Sequence, residues 1–117
     1  MARYEHLPIF KEIYDLNLYF YQVSRGFPKD IKYGLAQEIR ILLTFTLDQV
    51  ISANSDKNKL PYLSKAEKSL EIIKVKVRML YDLKTIKLQR YEFISTTLIN
   101  ISKQFTAWKN WSENGRS

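Results

Sequence analysis

The clearest pattern of hydrophobic and polar positions lies in the last third of the chain. There, apolar residues recur at alternating spacings of three and four: Tyr91, Ile94, Leu98, Ile101, Phe105 and Trp108. Because an α-helix turns once every 3.6 residues, this spacing places all of these side chains on one side of a helix. Such a line is typical of a seam between packed helices, and it predicts a helix over residues 88–111.

Two helices are predicted in the first half of the chain, each bounded by turn-forming residues. The first covers residues 7–25 and is followed by Gly26, a residue that commonly ends helices. The second covers residues 29–53 and begins after Pro28, which suits the start of a helix. The polar run at residues 54–58 predicts a loop between this helix and the next.

A third helix is predicted over residues 62–86, with two possible starting points. Pro61 suits a first turn, whereas Ser64 and Glu67 have the spacing of a capping box and favour a start a few residues later. Helices joined by connections this short usually pack antiparallel. The chain is therefore expected to be all-α, an up-down-up-down antiparallel four-helix bundle forming a single domain over residues 1–117.

The third helix differs from the others because its apolar residues fall on two sides. One stripe holds Ala66, Leu70, Ile73, Val77 and Leu80, and the other holds Ile72, Val75, Met79, Leu83 and Ile86. A helix at the edge of a monomeric bundle needs only one apolar side. The second stripe is expected to be buried either against another subunit or deeper in the same bundle. The residues predicted at an oligomer interface are Ile72, Val75, Met79, Leu83, Ile86, Tyr19, Phe20 and Trp111.

The net charge of the chain, +7, is confined to this third helix and its flanks. Residues 57–90 contain ten Lys or Arg against three Asp or Glu, and the remaining residues balance. Lys65, Lys76 and Lys87 recur every 11 residues along the edge between the two stripes. Such a localised excess favours a surface that faces a polyanion. The residues predicted to bind nucleic acid are Lys65, Lys68, Lys74, Lys76, Arg78, Lys84, Lys87 and Arg90.

Residues suited to catalysis or metal binding are scarce in the composition. The chain has no cysteine and one histidine, His6, and it contains no phosphate-binding loop, no Glu-x-x-His pair and no zinc motif. The Glu67–Glu71 pair is interpreted as a solvated helix face. We therefore expect no catalytic residue, metal, cofactor or small-molecule substrate. No apolar run reaches membrane-spanning length and no secretion signal is recognised, so a cytoplasmic location without membrane association is expected.

Several short strings, taken in order, resemble one known superfamily of four-helix proteins. It includes the accessory variability determinant (Avd) proteins of diversity-generating retroelements and the proteins encoded in 23S rRNA intervening sequences. The last third of the chain favours the Avd branch. The Avd family often has Gly-Gly or Gly-Ser before the tryptophan, where this chain has Thr106-Ala107. Residues 50–54 do not match the string that usually ends the second helix in the intervening-sequence branch. The strings that carry the resemblance are residues 24–29, 33–35, 37–40, 77–84, 91–105 and Trp108-Lys109.

The Avd resemblance implies a non-enzymatic accessory protein that forms basic homopentamers. Such proteins bind nucleic acid, including template RNA, and associate with the retroelement reverse transcriptase during mutagenic cDNA synthesis. By motif position the basic surface of the family maps onto Arg78 and Lys84, and the other six basic residues are added from the charge argument alone.

Two alternatives to the Avd interpretation remain open at this stage. The first is a four-helix protein of the rRNA intervening-sequence type that has no reverse transcriptase partner. The second is a bundle that acts only in protein–protein assembly, in which case its basic surface would meet an acidic partner. A phosphate-driven complex should lose affinity steeply with salt, which separates nucleic-acid binding from the second alternative.

Overall fold

The computed structural model describes residues 4–114, so the outermost residues of the predicted 1–117 domain lie outside the described residues. A short 3₁₀ turn, Tyr4–His6, precedes the α-helices. The α-helices are α1 (Pro8–Ser24), α2 (Lys29–Lys32), α3 (Leu35–Ser55), α4 (Leu60–Asp82) and α5 (Leu88–Glu113). No helix in this part of the chain combines the length and the apolar character needed to cross a bilayer.

The four long helices, α1, α3, α4 and α5, pack as a bundle with alternating directions. Each contacts its neighbours in chain order, and α5 closes the bundle by packing on α1. Polar pairs between helices fix the antiparallel sense: the late residue Lys76 of α4 contacts Glu38, which lies early in α3. Likewise Gln104, late in α5, donates a hydrogen bond to Glu12, early in α1. The prediction of an all-α up-down-up-down four-helix bundle is confirmed.

The predicted helix over residues 29–53 is interrupted at Gly34. The chain makes the single turn of α2 and then re-enters a helix at Leu35, and Gly34 itself has φ −110° and ψ −103°. A Cβ at Gly34 would lie 2.6 Å from the carbonyl oxygen of Asp30. Only a residue without a side chain allows the two backbone segments to approach this closely, so the break depends on glycine.

The start of α4 agrees with the proline signal rather than with the capping box. α4 begins at Leu60 with Pro61 in its first turn, and no side chain caps its N-terminus. The hydroxyl of Tyr62, in the first turn of α4, donates a hydrogen bond to Asp56 in the preceding loop, and this bond lowers the pKa of the Asp56 carboxyl group. Lys59 closes the loop by donating from its ammonium group to the carbonyl oxygens of Ala53 and Asp56.

The end of α4 lies four residues before the predicted end at Ile86. Lys84 has φ 63°, in the left-handed region that L-residues seldom adopt. Its N–H donates to the carbonyl of Tyr81, and the N–H of Thr85 donates to the carbonyl of Leu80, both at 2.9 Å. This pair of bonds is a Schellman ending, in which the left-handed position is usually glycine. Here a lysine occupies it, which is why no glycine signalled the end of the helix.

The core is built from one apolar stripe of each long helix. Ile94, Leu98, Ile101 and Phe105 of α5 are buried, as the spacing predicts, while Tyr91 and Trp108 at the ends of that seam are half-buried. The first stripe of α4 is also buried throughout: Ala66, Leu70, Ile73, Val77 and Leu80.

Hydrogen bonds between buried polar side chains fix how the helices align. Asn17 of α1 donates to the carbonyl of Leu43, and it accepts a bond from Thr44. The hydroxyls of Thr46 and Ser69 share a hydrogen bond of 2.7 Å between α3 and α4. Because an unpaired buried polar group is costly, these bonds favour one alignment of the neighbouring helices over shifted ones.

Candidate nucleic-acid interface

The second apolar stripe of α4 lies at the surface of the subunit. Ile72 is 38%, Val75 62%, Met79 45% and Leu83 56% exposed, and we call these four residues the apolar face. Their spacing of three or four residues places them on one side of the helix, next to α3, where Ile72 shares a shallow hollow with Leu42 and Phe45. A row of large exposed apolar side chains is unusual on an isolated domain.

Two of the predicted interface residues do not belong to such a surface. Ile86 is 3% and Phe20 is 1% exposed, so both lie in the core of the subunit, and the prediction that they meet another subunit is wrong. Ile86 follows the end of α4 and turns inward with the connection to α5. Phe20 faces the bundle interior one turn after Leu16, which is also buried.

The remaining predicted interface residues, Tyr19 and Trp111, lie on α1 and α5 rather than beside the apolar face of α4 in the chain. Trp111 is 42% exposed near the end of α5. Tyr19 is half-buried where α1 meets the start of α5, and its ring packs against Phe93 with centroids 5.0 Å apart. Their role at an interface stays a prediction.

Three of the eight predicted nucleic-acid-binding residues are held in ion pairs on the bundle. Lys74 contacts Glu71 at 2.8 Å, Lys76 contacts Glu38 at 2.6 Å, and Arg78 contacts Asp82 at 3.0 Å. The hydrogen bond that Arg78 donates to Asp82, together with the negative charge of Asp82, raises the pKa of Arg78. Glu67, the remaining acid of the basic stretch, pairs with Lys109 of α5 rather than with a lysine of α4.

The predicted basic edge with 11-residue spacing is not continuous. Lys87 is separated from α4 by the turn after Asp82, and it is the residue that immediately precedes α5. Lys76 is 24% exposed at its side chain and bridges to α3. The edge is therefore interrupted, because Lys76 is paired with Glu38 on the helix whereas Lys87 is exposed in the connection.

Three cations gather at the connection between α4 and α5. We call Lys84, Lys87 and Arg90 the basic corner. All three are exposed, and none forms an ion pair with any residue between positions 4 and 114. Lys84 and Lys87 line one open hollow of about 480 Å³, and Lys87 and Arg90 line a second of about 440 Å³.

An aromatic pair borders the second hollow of the basic corner. Phe93 is 53% exposed and packs against Tyr19, whose hydroxyl accepts a hydrogen bond of 3.2 Å from the Nε of Arg90. Phe93 stands off the buried seam of α5, two positions after Tyr91. The sequence does carry a signal for Phe93: it is an aromatic residue that lies off the seam and three residues after an arginine.

Lys65 and Lys68 are not part of this cluster. They lie in the first turns of α4, and the rise along the helix from Lys68 to Asp82 is about 20 Å. Both border the small hollow that contains Leu42, Phe45 and Ile72. The predicted basic surface thus consists of two separate exposed groups with a compensated stretch between them.

The site offers cations and aromatic faces, but little that suits metal-based chemistry. Among residues 4–114 no three His, Cys, Asp or Glu side chains come together in a way that could hold a metal ion. Exposed ammonium and guanidinium groups attract phosphates, and aromatic faces stack on bases. Fold and surface together define the class: a basic antiparallel four-helix bundle with a cationic end and an exposed apolar face.

Comparison with known families places the chain within this class. The model of the bAvd-like family matches residues 7–112, so the protein belongs to the bAvd-like family, which is a family of accessory proteins. A search of curated proteins gave no match. The matched range includes all four long helices except the last residue of α5.

Proposed function

We propose that this protein is a non-enzymatic accessory subunit of a diversity-generating retroelement. In this role it is an oligomeric basic scaffold that holds template RNA and docks the retroelement reverse transcriptase during mutagenic cDNA synthesis. The observation that carries the proposal is the family match over residues 7–112. It favours the retroelement branch over the rRNA intervening-sequence alternative.

The basic corner supports the nucleic-acid part of the proposal. Its three cations have no acidic partner among the described residues, so a phosphate meets them without first breaking an ion pair. Lysine and arginine contacts to the backbone carry no sequence information, so binding through this surface is sequence-independent. Each phosphate contact makes affinity fall with salt, which is the signature to look for.

The apolar face supports the oligomeric part of the proposal. Large exposed side chains along one helix gain about 25 cal/mol for each Å² of apolar surface that association buries. In a closed ring such as a homopentamer, each subunit repeats its basic corner around one axis. Repetition raises the affinity for a long polyanion without any new kind of contact, because the later contacts form within one complex.

The direct test combines the purified protein with the reverse transcriptase and the template RNA of the proposed retroelement. We expect the three to co-elute and cDNA synthesis to rise when the accessory protein is added. A variant with Lys84, Lys87 and Arg90 changed to Gln should lose RNA from the complex, while a Lys11→Gln variant, altered at a paired lysine of α1, should not. Absence of both co-elution and stimulation would refute the proposal.

A further inference from the structure

We propose, building on the nucleic-acid binding proposed above, that the hollow between α1 and the start of α5 binds one unpaired nucleotide of a single-stranded nucleic acid. The base would stack on Phe93, and the adjoining phosphate would face Lys87 and Arg90. The hollow is lined by Tyr19, Lys87, Gln89, Arg90 and Phe93, together with two residues of the turn. The basic corner would thereby distinguish single strands from duplexes.

The aromatic part of the hollow is arranged as a stacking surface. The Tyr19 ring meets the Phe93 ring at 57° with centroids 5.0 Å apart, which holds Phe93 from one side. Phe93 remains 53% exposed, so a large part of its surface is open to a ligand. Every nucleobase has a π-face, so stacking on such a ring is tolerant of sequence.

The cationic part lies close enough in the chain to serve the same ligand. Arg90 is three residues before Phe93, so the two side chains leave the same side of α5. The Nε of Arg90 donates to the Tyr19 hydroxyl at 3.2 Å, which orients the guanidinium and leaves its terminal N–H groups for a phosphate. Tyr19 therefore acts as a positioning residue for both the ring and the guanidinium.

The shape and charge of the hollow favour a strand over other occupants. Its volume of about 440 Å³ falls within the range of about 300–1,000 Å³ usual for small-ligand sites, yet it is open to one side, so a chain can pass through it. No acidic residue lines it. A duplex keeps its bases stacked on one another and presents no free base face, so only an unpaired base can reach Phe93.

The test measures affinity for a 12-nucleotide single-stranded RNA, the matching DNA and the corresponding duplex at several salt concentrations. Phe93→Leu keeps apolar bulk but removes the ring. We expect it to weaken binding of both single strands by about 5- to 150-fold, the range that stacking of one base supplies, and to leave duplex binding unchanged. Phe93→Trp should restore binding. Tyr14→Leu is the matched control, because Tyr14 is 45% exposed on the outer side of α1.

Salt dependence separates the roles of the ring and of the cations. Phe93→Leu should leave the slope of log K against log salt unchanged, whereas Arg90→Gln should reduce it by about 0.7, the value for one phosphate contact on a single strand. Tyr19→Phe removes only the hydroxyl. We expect it to weaken binding in the native background and to have no further effect when Arg90 is already Gln.

The outcomes separate this inference from the proposed function. Suppose that the native protein binds RNA. If Phe93→Leu then binds single strands as tightly as the native protein does, or loses as much affinity for the duplex as for the single strands, the stacking site is refuted and the accessory function stands. If Phe93→Leu instead loses only the reverse transcriptase, the hollow is a protein contact and the inference is again wrong. If the native protein binds no nucleic acid in 50 mM salt, the nucleic-acid role in the proposed function fails with it.

Discussion

The apolar face and the basic corner lie next to each other on the molecule but are built in opposite ways. Along most of the apolar face the neighbouring cations are compensated, Lys74 by Glu71 and Lys76 by Glu38. Lys65 and Lys68, which form no ion pair within residues 4–114, border the face only at Ile72. At the basic corner the cations have no acidic partner in the described part of the chain, and aromatic rings replace aliphatic side chains. A compensated apolar surface suits a protein neighbour, whereas uncompensated charge beside rings suits a nucleic acid.

The backbone differs between the two regions as well. Three of the four residues of the apolar face lie on the regular helix α4, and Leu83 directly follows it, so substitutions at Ile72, Val75 or Met79 change the surface without changing the path of the chain. The basic corner stands at the end of the bundle where the α1–α3 and α4–α5 connections lie, since successive helices alternate in direction. These connections depend on two special positions, the close approach at Gly34 and the left-handed Lys84.

The largest effect is expected from a charge placed in the apolar face. If this face is the subunit interface, Met79→Asp should convert the oligomer to monomers, because burying an unpaired carboxylate costs several kcal/mol for each contact. Light scattering after size exclusion measures the mass, and circular dichroism should show unchanged helicity, since Met79 is 45% exposed. Ile99→Asp, at a residue of α5 with 46% exposure, is the control. An unchanged mass for Met79→Asp would remove the apolar face from the interface.

The next largest effect is expected at Gly34, in the connection between α1 and α3. Gly34→Ala should destabilise the fold by about 1–3 kcal/mol, because the new methyl group would meet the Asp30 carbonyl at 2.6 Å. Gly26→Ala is the matched substitution, since a Cβ there has no neighbour within 4 Å. It should be neutral or stabilise by up to about 1 kcal/mol. Urea unfolding of both variants measures the difference, and equal values would contradict the proposed close approach.

A smaller effect separates charge from fold at the corner. Lys84→Gly should stabilise the protein by about 0.5–1 kcal/mol, because glycine adopts the left-handed conformation without steric cost. The same change removes a cation, so RNA affinity should fall and its salt slope should decrease by about 0.7 for a single strand. A thermal melt and a salt titration on one sample test both statements. Unchanged RNA affinity together with a higher melting temperature would assign Lys84 to the turn alone.

The smallest effect is expected for the bridge between α3 and α4. A double-mutant cycle with Lys76→Met and Glu38→Gln should give a coupling of no more than about 1 kcal/mol, because Glu38 is 56% exposed and water screens the pair. RNA affinity should be nearly the same in Lys76→Met as in the native protein. A loss as large as that of Lys87→Gln would show that compensation by Glu38 does not keep Lys76 from the nucleic acid.

Much of the fold follows from residue spacing, and the exceptions have local causes. The 3-4 spacing in α5 identifies its buried seam, and Pro61 marks the first turn of α4. The break at Gly34 could not be predicted, because a glycine within an apolar pattern shows no clash until the carbonyl of Asp30 is in place. The end of α4 was missed because a lysine holds the left-handed position that glycine usually fills.

The candidate site was predicted less completely than the fold. Counting charges found the basic stretch, but charge compensation depends on partners such as Glu38, which lies 38 residues away from Lys76. Phe93 was not singled out, because its importance comes from Tyr19 and Arg90, and Tyr19 lies on another helix. Ile86 and Phe20 were assigned to an interface because helical spacing alone does not tell whether an apolar residue is exposed at the surface of the subunit or buried in its core.

The sequence by itself determined the four long helices, their antiparallel order, the buried stripes of α4 and α5 and the confinement of the net charge to residues 57–90. These properties follow from spacing and composition, which act locally along the chain. The tertiary structure alone decided which cations stay unpaired, which apolar residues remain exposed, and where Phe93, Tyr19 and Arg90 meet. These properties depend on contacts between residues distant in sequence, and only the packing of one helix against another brings such residues together.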